Sequence, residues 1–245
     1  MSLYKSPEKK SATFASYDKA MALWPVEYEE LMIQTSYGMT HAIVSGPEEG
    51  EAVFLLPGLF ADATMWYANV GPLSEQYRVY CLDSIAYGGK GEPSEQRVKT
   101  LEDYVSWFQQ ITTSLKVEQG ALMGVSYGSW LSLALAREIP QWVTAVVMLD
   151  PSESFAKMDG GIAWRGLWAF GLFPSRNKIR KFFDWIGGGY SDADADIWFE
   201  HMLDVIEFGS VGMFDIPQHK VYQADDLTMV KNAGPSVSGR QAYSL

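Results

Sequence analysis

The sequence predicts an α/β fold, a mostly parallel sheet entered through an N-terminal hairpin, flanked by helices and carrying a helical cap. Three observations predict it. From residue 51 onward, short apolar runs at 51–56, 77–83, 120–125 and 143–149 alternate with helical stretches at 64–75, 101–116 and 127–138, the pattern of parallel strands joined by right-handed crossovers. Upstream, β-like runs at 28–35 and 39–45 meet at Tyr37-Gly38 and read as a hairpin. Downstream, residues 152–222 break the alternation and hold 14 of the chain's 34 aromatic residues in 71 positions, which suits a helical cap better than more sheet.

Each element has a local cause. Residues 11–24 space their apolar side chains along one helical face and meet Pro25, which cannot continue a helix. Gly46-Pro47-Glu48-Glu49-Gly50 ends the hairpin, and the buried-looking Glu51-Ala-Val-Phe-Leu-Leu56 opens the parallel part. Gly187-Gly188-Gly189 divides the cap, as a hinge or as an ordinary turn. The expected organisation is a core over 1–151, an aromatic-rich helical cap over 152–222, and a residual core segment over 223–245.

Composition narrows the function classes. With 245 residues at 47% hydrophobic and 20% charged, the chain can bury a sizeable core without disulfides or metal. A net charge of −11 repels phosphate backbones and anionic lipid headgroups, so neither nucleic-acid nor polybasic membrane binding is expected. Cys81 stands alone and the three histidines are scattered, so no zinc cluster is expected and no cofactor is implied. Cys81 itself reads as a small buried hydrophobe. No apolar run suits a signal h-region or a spanning helix, and the expected compartment is the cytoplasm.

The chemistry concentrates at Gly124-Val-Ser126-Tyr-Gly128, set between an apolar strand and an Ala- and Leu-rich helix. A serine on a sharp strand-to-helix turn stands at the carboxyl edge of the sheet. Glycines two residues either side of it let neighbouring backbone approach. The helix that follows aims its N-terminus at the same spot, so the Tyr127 amide can meet a developing oxyanion.

The order of hairpin, Pro57-Gly58-Leu59-Phe60, Asp83-Ser-Ile-Ala-Tyr-Gly88-Gly-Lys-Gly91-Glu-Pro-Ser94 and Gly124-Val-Ser126-Tyr-Gly128 resembles the α/β-hydrolase superfamily over about residues 28–152. With Thr64-Met-Trp66-Tyr-x-Asn69 and Tyr77-Arg-Val-Tyr80, the chain is similar to capped hydrolases and carboxylesterase-like proteins of the Bacillus type. The resemblance implies a serine nucleophile at Ser126 and an oxyanion hole from the amides of Leu59 and Tyr127, with Phe60 as the alternative to Leu59. In that family the loop usually opens with His, where this chain has Pro57, so the loop's role is left to its backbone.

The resemblance also implies an acid after the seventh strand and a histidine after the eighth, and neither is evident. The tail from Asn232 is polar and lacks apolar alternation. It reads either as an unrelated end after a cut before the seventh strand, or as a shortened version of the histidine-bearing loop with Pro235 where His would stand. On both readings the seventh and eighth strands are missing and the sheet stops near its sixth, unless another chain, as in a dimer, covers the edge. Among substitutes, Asp150 follows the sixth strand, where some superfamily members carry the acid, and otherwise hydrogen-bonds the start of the cap. His219 returns from the cap toward the sheet and is the best available base. His41 in the hairpin reads as surface or paired core, His201 as solvated or pocket-lining, and Asp83 as the cap of its own turn.

The expected function is therefore serine hydrolysis of a small ester or related acyl compound with an apolar group, weak or absent in this chain for want of a base. The alternative is a non-catalytic ligand-binding protein of the same fold. A cleft between Ser126, Leu59, Tyr127 and the cap aromatics would hold the substrate.

Overall fold

The computed structural model describes residues 2–151, 154–157, 159–171, 175–187, 192–212, 215–218 and 220–223. Strands β1 (Glu29–Thr35) and β2 (Gly38–Ser45) form the antiparallel hairpin, and β2 runs antiparallel to β4 (Tyr77–Leu82). Then β4, β3 (Glu51–Leu56), β6 (Gly120–Val125) and β7 (Val143–Leu149) lie parallel, giving the order β1-β2-β4-β3-β6-β7. A two-residue strand, β5 (Glu92–Pro93), pairs with the start of β2.

Alternation along the strands sorts side chains to two faces. Val53 and Leu55 of β3, with Val79 and Cys81 of β4, pack against Tyr17 and Met21 of α1 (Pro7–Met21) and Val70 of α2 (Tyr67–Ser74). Phe54 and Leu56, with Tyr80 and Leu82, face Trp107, Phe108 and Ile111 of α3 (Leu101–Ser114) and Trp130 and Leu133 of α4 (Tyr127–Glu138). Burial drives the Cys81 thiol pKa well up, so it is an inert core group.

Helix α1 begins earlier than its apolar spacing suggests. Ser6 accepts from the Lys9 amide as N-cap and Pro7 occupies the first turn, a start signal that the hydrophobic period does not contain. It ends at Met21, ahead of Pro25, because Leu23 and Trp24 turn back onto Ala20 and Met21.

Beyond β7 the described residues form three helices, α5 (Gly160–Phe170), α6 (Arg176–Gly187) and α7 (Ala193–Phe208). They make a small core of their own from Ile179, Phe199, Met202 and Leu203, with Phe170 and Phe183 against it. Helix α7 then lies on α1, where Lys5 N–H donates to Phe208 O at 3.0 Å and Tyr4 bridges to Gly209. The expectation that the seventh and eighth strands are missing falls on residues 224–245, which lie outside the described residues. Among those described, β7 pairs with β6 alone.

Candidate active site

Three non-glycine residues with left-handed backbone stand just past the carboxyl ends of three adjacent parallel strands: Phe60 (φ 62°) after β3, Ser126 (φ 51°) after β6 and Asp150 (φ 46°) after β7. Each such residue costs of order 1–3 kcal/mol unless its surroundings hold it, and such residues gather at functional sites.

Ser126 is the whole connection between β6 and α4. Its amide donates to Leu149 O at 3.0 Å, and its carbonyl accepts from Ser129 and Trp130. The Ser129 hydroxyl lies 2.7 Å from Gly124 O and 2.8 Å from Leu149 O, which ties the turn to the end of β7 beside Asp150. The two glycines are sterically required. A methyl group at Gly124 would sit 2.1 Å from Gly128 O, and one at Gly128 would sit 2.1 Å from Leu56 O. The half-buried Ser126 therefore stands where the loop after β3 meets the first turn of α4.

That loop is a tight turn closed by Ala61 N–H to Gly58 O at 3.1 Å, with Leu59 and Phe60 at its centre. A methyl on Gly58 would come within 3.7 Å of Ser126 Cβ, so the turn lies against the serine. The Phe60 ring stacks on Phe170 of α5 at 6.3 Å and meets Tyr87 edge-on, joining the turn to α5. Tyr127 opens α4, with its amide in the first turn, where helical N–H groups have no intrahelical acceptor.

The histidines sort unequally. His41 is buried, its Nδ1 2.8 Å from Asp83 and its Nε2 2.8 Å from Glu30, so it is a paired core residue. Burial disfavours its charge, but Asp83 and Glu30 outweigh that and raise its pKa. Asp83 does more than cap its own turn: it accepts from Lys90 N–H and from Ala63 N–H in the neighbouring loop, both at 2.8 Å. Only glycine fits at position 89, where a methyl would sit 2.2 Å from Asp83 Cγ.

The expectation for His201 is corrected. It is neither solvated nor pocket-lining, being 1% exposed, with Nε2 2.7 Å from Asp62 and Nδ1 2.9 Å from Ser16. Helix α7 turns this face onto α1 and the loop after β3. The Asp62–His201 pair has no counterpart among the sequence expectations. Asp62 carried a local signal, an N-cap two residues before Thr64 at the start of a 3₁₀ turn (Ala63–Trp66), but nothing near His201 announces its partner.

His219 lies outside the described residues. Its flanks are described and rest on α4: Tyr127 donates its hydroxyl to Pro217 O at 2.8 Å, and Trp130 its indole N–H to Lys220 O at 3.1 Å. Asp150 is exposed, and Asp159, accepting from the Gly161 amide, is the N-cap of α5.

The aromatic residues of α5, α6 and α7 divide. Phe170, Phe182, Phe183 and Phe199 pack on one another, while Trp164, Trp168 and Trp185 are exposed, so only part of the aromatic excess is available to line a cleft. A groove of about 790 Å³ lies at the amino ends of the parallel strands, bordered by Pro25, Glu29, Ser45 and Arg78. The Arg78–Glu29 ion pair stands in it, on the side of the sheet away from Ser126.

A serine on a strained strand-to-helix turn, beside a backbone turn at the carboxyl edge of the parallel strands, is the local geometry that the alpha/beta hydrolase fold builds between a strand and a helix. Residues 51–187 match the family described as alpha/beta hydrolase fold, and the chain belongs to it. It is 31% identical over 173 residues to a Bacillus subtilis (strain 168) protein named as an uncharacterized carboxylesterase, nap, covering 71% of this chain and 56% of that one. It is 33% identical over 142 residues to carboxylesterase YbfK of the same organism, covering 58% and 48%. The chain thus spans about half the length of these curated relatives. Among solved structures, naproxen esterase (carboxylesterase NP) from Bacillus subtilis superposes with a TM-score of 0.81 at 25% identity, over 93% of this chain and 79% of that one. No helix among the described residues is long and apolar enough to cross a membrane.

Proposed function

We propose that the chain is the core and cap of a serine carboxylesterase acting on a small ester with an apolar acyl or aryl group. The observation that carries this is Ser126 itself, a non-glycine residue at φ 51° whose two flanking glycines admit no Cβ. In the proposed reaction Ser126 Oγ attacks the ester carbonyl carbon and gives its proton to a base. The amides of Leu59 and Tyr127, or of Phe60 in place of Leu59, stabilise the oxyanion. The alcohol departs with the proton, and water releases the acid from the acyl-enzyme. An apolar group is supported by Phe60 and Phe170 beside the turn, and by the similarity to a naproxen esterase.

Asp150 is the proposed acid and His219 the proposed base. His41 and His201 each have both ring nitrogens engaged elsewhere, and the backbone either side of His219 rests on the helix that Ser126 begins. With the base on a segment returning from the cap, turnover by this chain is expected to be slow. A second reading, a ligand-binding protein without turnover, is favoured by the same commitment of two of the three histidines.

Turnover of p-nitrophenyl esters by the chain and by Ser126→Ala and His219→Ala decides between them. Catalysis by Ser126 predicts a loss of about 10³-fold or more in kcat for Ser126→Ala. An equal loss in His219→Ala identifies the base. Rates indistinguishable between the chain and Ser126→Ala, with the ester still bound, would establish the second reading.

A further inference from the structure

We propose that His201 is a positioning residue, its buried pair with Asp62 holding the turn that carries Leu59 and Phe60 and fastening the last cap helix to it. The proposal rests on the reading that this turn supplies an oxyanion-hole amide. Asp62 stands two residues beyond the strained Phe60. One carboxylate oxygen accepts from the Thr64 amide at 3.1 Å and the Thr64 hydroxyl at 2.6 Å, and the other meets His201 Nε2 at 2.7 Å. Ala63, between them, donates its amide to Asp83 at 2.8 Å. The backbone leaving the turn is therefore gripped at three successive residues, and one of the grips ends on the cap.

His201 is held at both ring nitrogens, Nδ1 2.9 Å from the Ser16 hydroxyl and Nε2 2.7 Å from Asp62. Burial opposes a charge on the ring, but Asp62, aided by Asp83 and by Asp204 on the same helix, outweighs it and raises the pKa. Asp62 moves the opposite way: burial raises its pKa, and His201 with Thr64 pulls it below the usual carboxylate value. Tyr17 of α1 lies edge-on to the ring at 5.4 Å and closes the remaining side. Surroundings of this kind are what keep a left-handed phenylalanine two residues away in place.

The test uses the whole chain with His201→Ala and His201→Gln, whose amide nitrogen can still reach Asp62. Hydrogen–deuterium exchange is read over 57–66 and over the strand at 120–125, alongside kcat and KM for a p-nitrophenyl ester. His201→Ala should speed exchange over 57–66 about tenfold or more and leave 120–125 unchanged. It should also lower kcat about 10- to 100-fold with little change in KM. His201→Gln should recover most of both. Unchanged exchange over 57–66, or an equal rise over 120–125, overturns the proposal, and so does a rise in KM at constant kcat. If the turn loosens in a chain that shows no Ser126-dependent turnover, the hydrolase reading fails and the holding of the turn stands. Should His201→Ala not fold, His201→Leu keeps the buried volume and removes the link to Asp62; faster exchange confined to 57–66 then supports the proposal, and unchanged exchange there overturns it.

Discussion

At the scale of single residues, the site is built from backbone conformations that most side chains avoid. Gly128 shows how magnitudes decide. Alanine is favoured over glycine inside a helix by about 1 kcal/mol, which argues for Ala at the second position of α4. The added methyl would lie 2.1 Å from Leu56 O and 2.7 Å from Pro57 O, backbone atoms that cannot swing aside, and overpacking of this kind costs about 1–3 kcal/mol. Gly128→Ala is therefore expected to destabilise, seen as a lower urea midpoint at unchanged m, and to displace the loop against Ser126. The glycines either side of Ser126 were legible in the sequence because a strand-to-helix turn needs them. The left-handed Phe60 and Asp150 were not, since phenylalanine and aspartate occupy ordinary backbone almost everywhere.

At the scale of elements, helix α1 unites two histidine–carboxylate pairs that come from four different segments. Tyr17 lies edge-on to both His41 and His201, and its hydroxyl is 3.4 Å from Asp83. Both imidazoles have raised pKa values, opposed by burial and driven by their carboxylates. A histidine whose folded pKa is raised contributes stability that is fully present below its ordinary value, about 6.5, and is lost as pH rises through the raised value. The urea midpoint is accordingly expected to fall as pH rises above about 6.5. The fall should be shallower in a His41→Gln, His201→Gln double variant and should persist in high salt, because buried pairs are little screened. Asp62 adds the acid-side counterpart, a contribution lost as pH falls through its lowered pKa. The helices themselves were legible from their apolar period, but the start of α1 was not, because that boundary is set by Ser6 and Pro7 instead.

On the scale of the molecule, β7 is the outermost parallel strand among the described residues. It packs Val146 and Met148 on the core but exposes Thr144, Ala145 and Val147, the last at 45%. Strand edges of this composition invite pairing with another chain. We propose that a second copy covers β7, and light scattering should then show a mass rising with concentration toward a dimer. Val147→Lys, which places a charge on that strand, should hold the chain at monomer mass without changing its circular dichroism. A monomer at all concentrations in the unaltered chain would dismiss the dimer.

Legible from the residues alone were the hairpin, the succession of parallel strands and crossover helices, the helical character of the segment after β7, and the turn on which Ser126 stands. Each of these rests on short-range rules: apolar periods of two and 3.6, turn residues, and a glycine spacing imposed by one tight connection. Packing settled which histidines are committed to the core and which aromatics of α5–α7 pack together or face solvent. It also brought Phe60, Ser126 and Asp150 to one edge of the sheet. His201 and Asp62 are 139 residues apart and His41 and Asp83 are 42 apart, and no local pattern encodes a contact at such separations. Those pairings follow from how α1 and α7 are stacked on the sheet, a property of the packed chain and of no single segment within it.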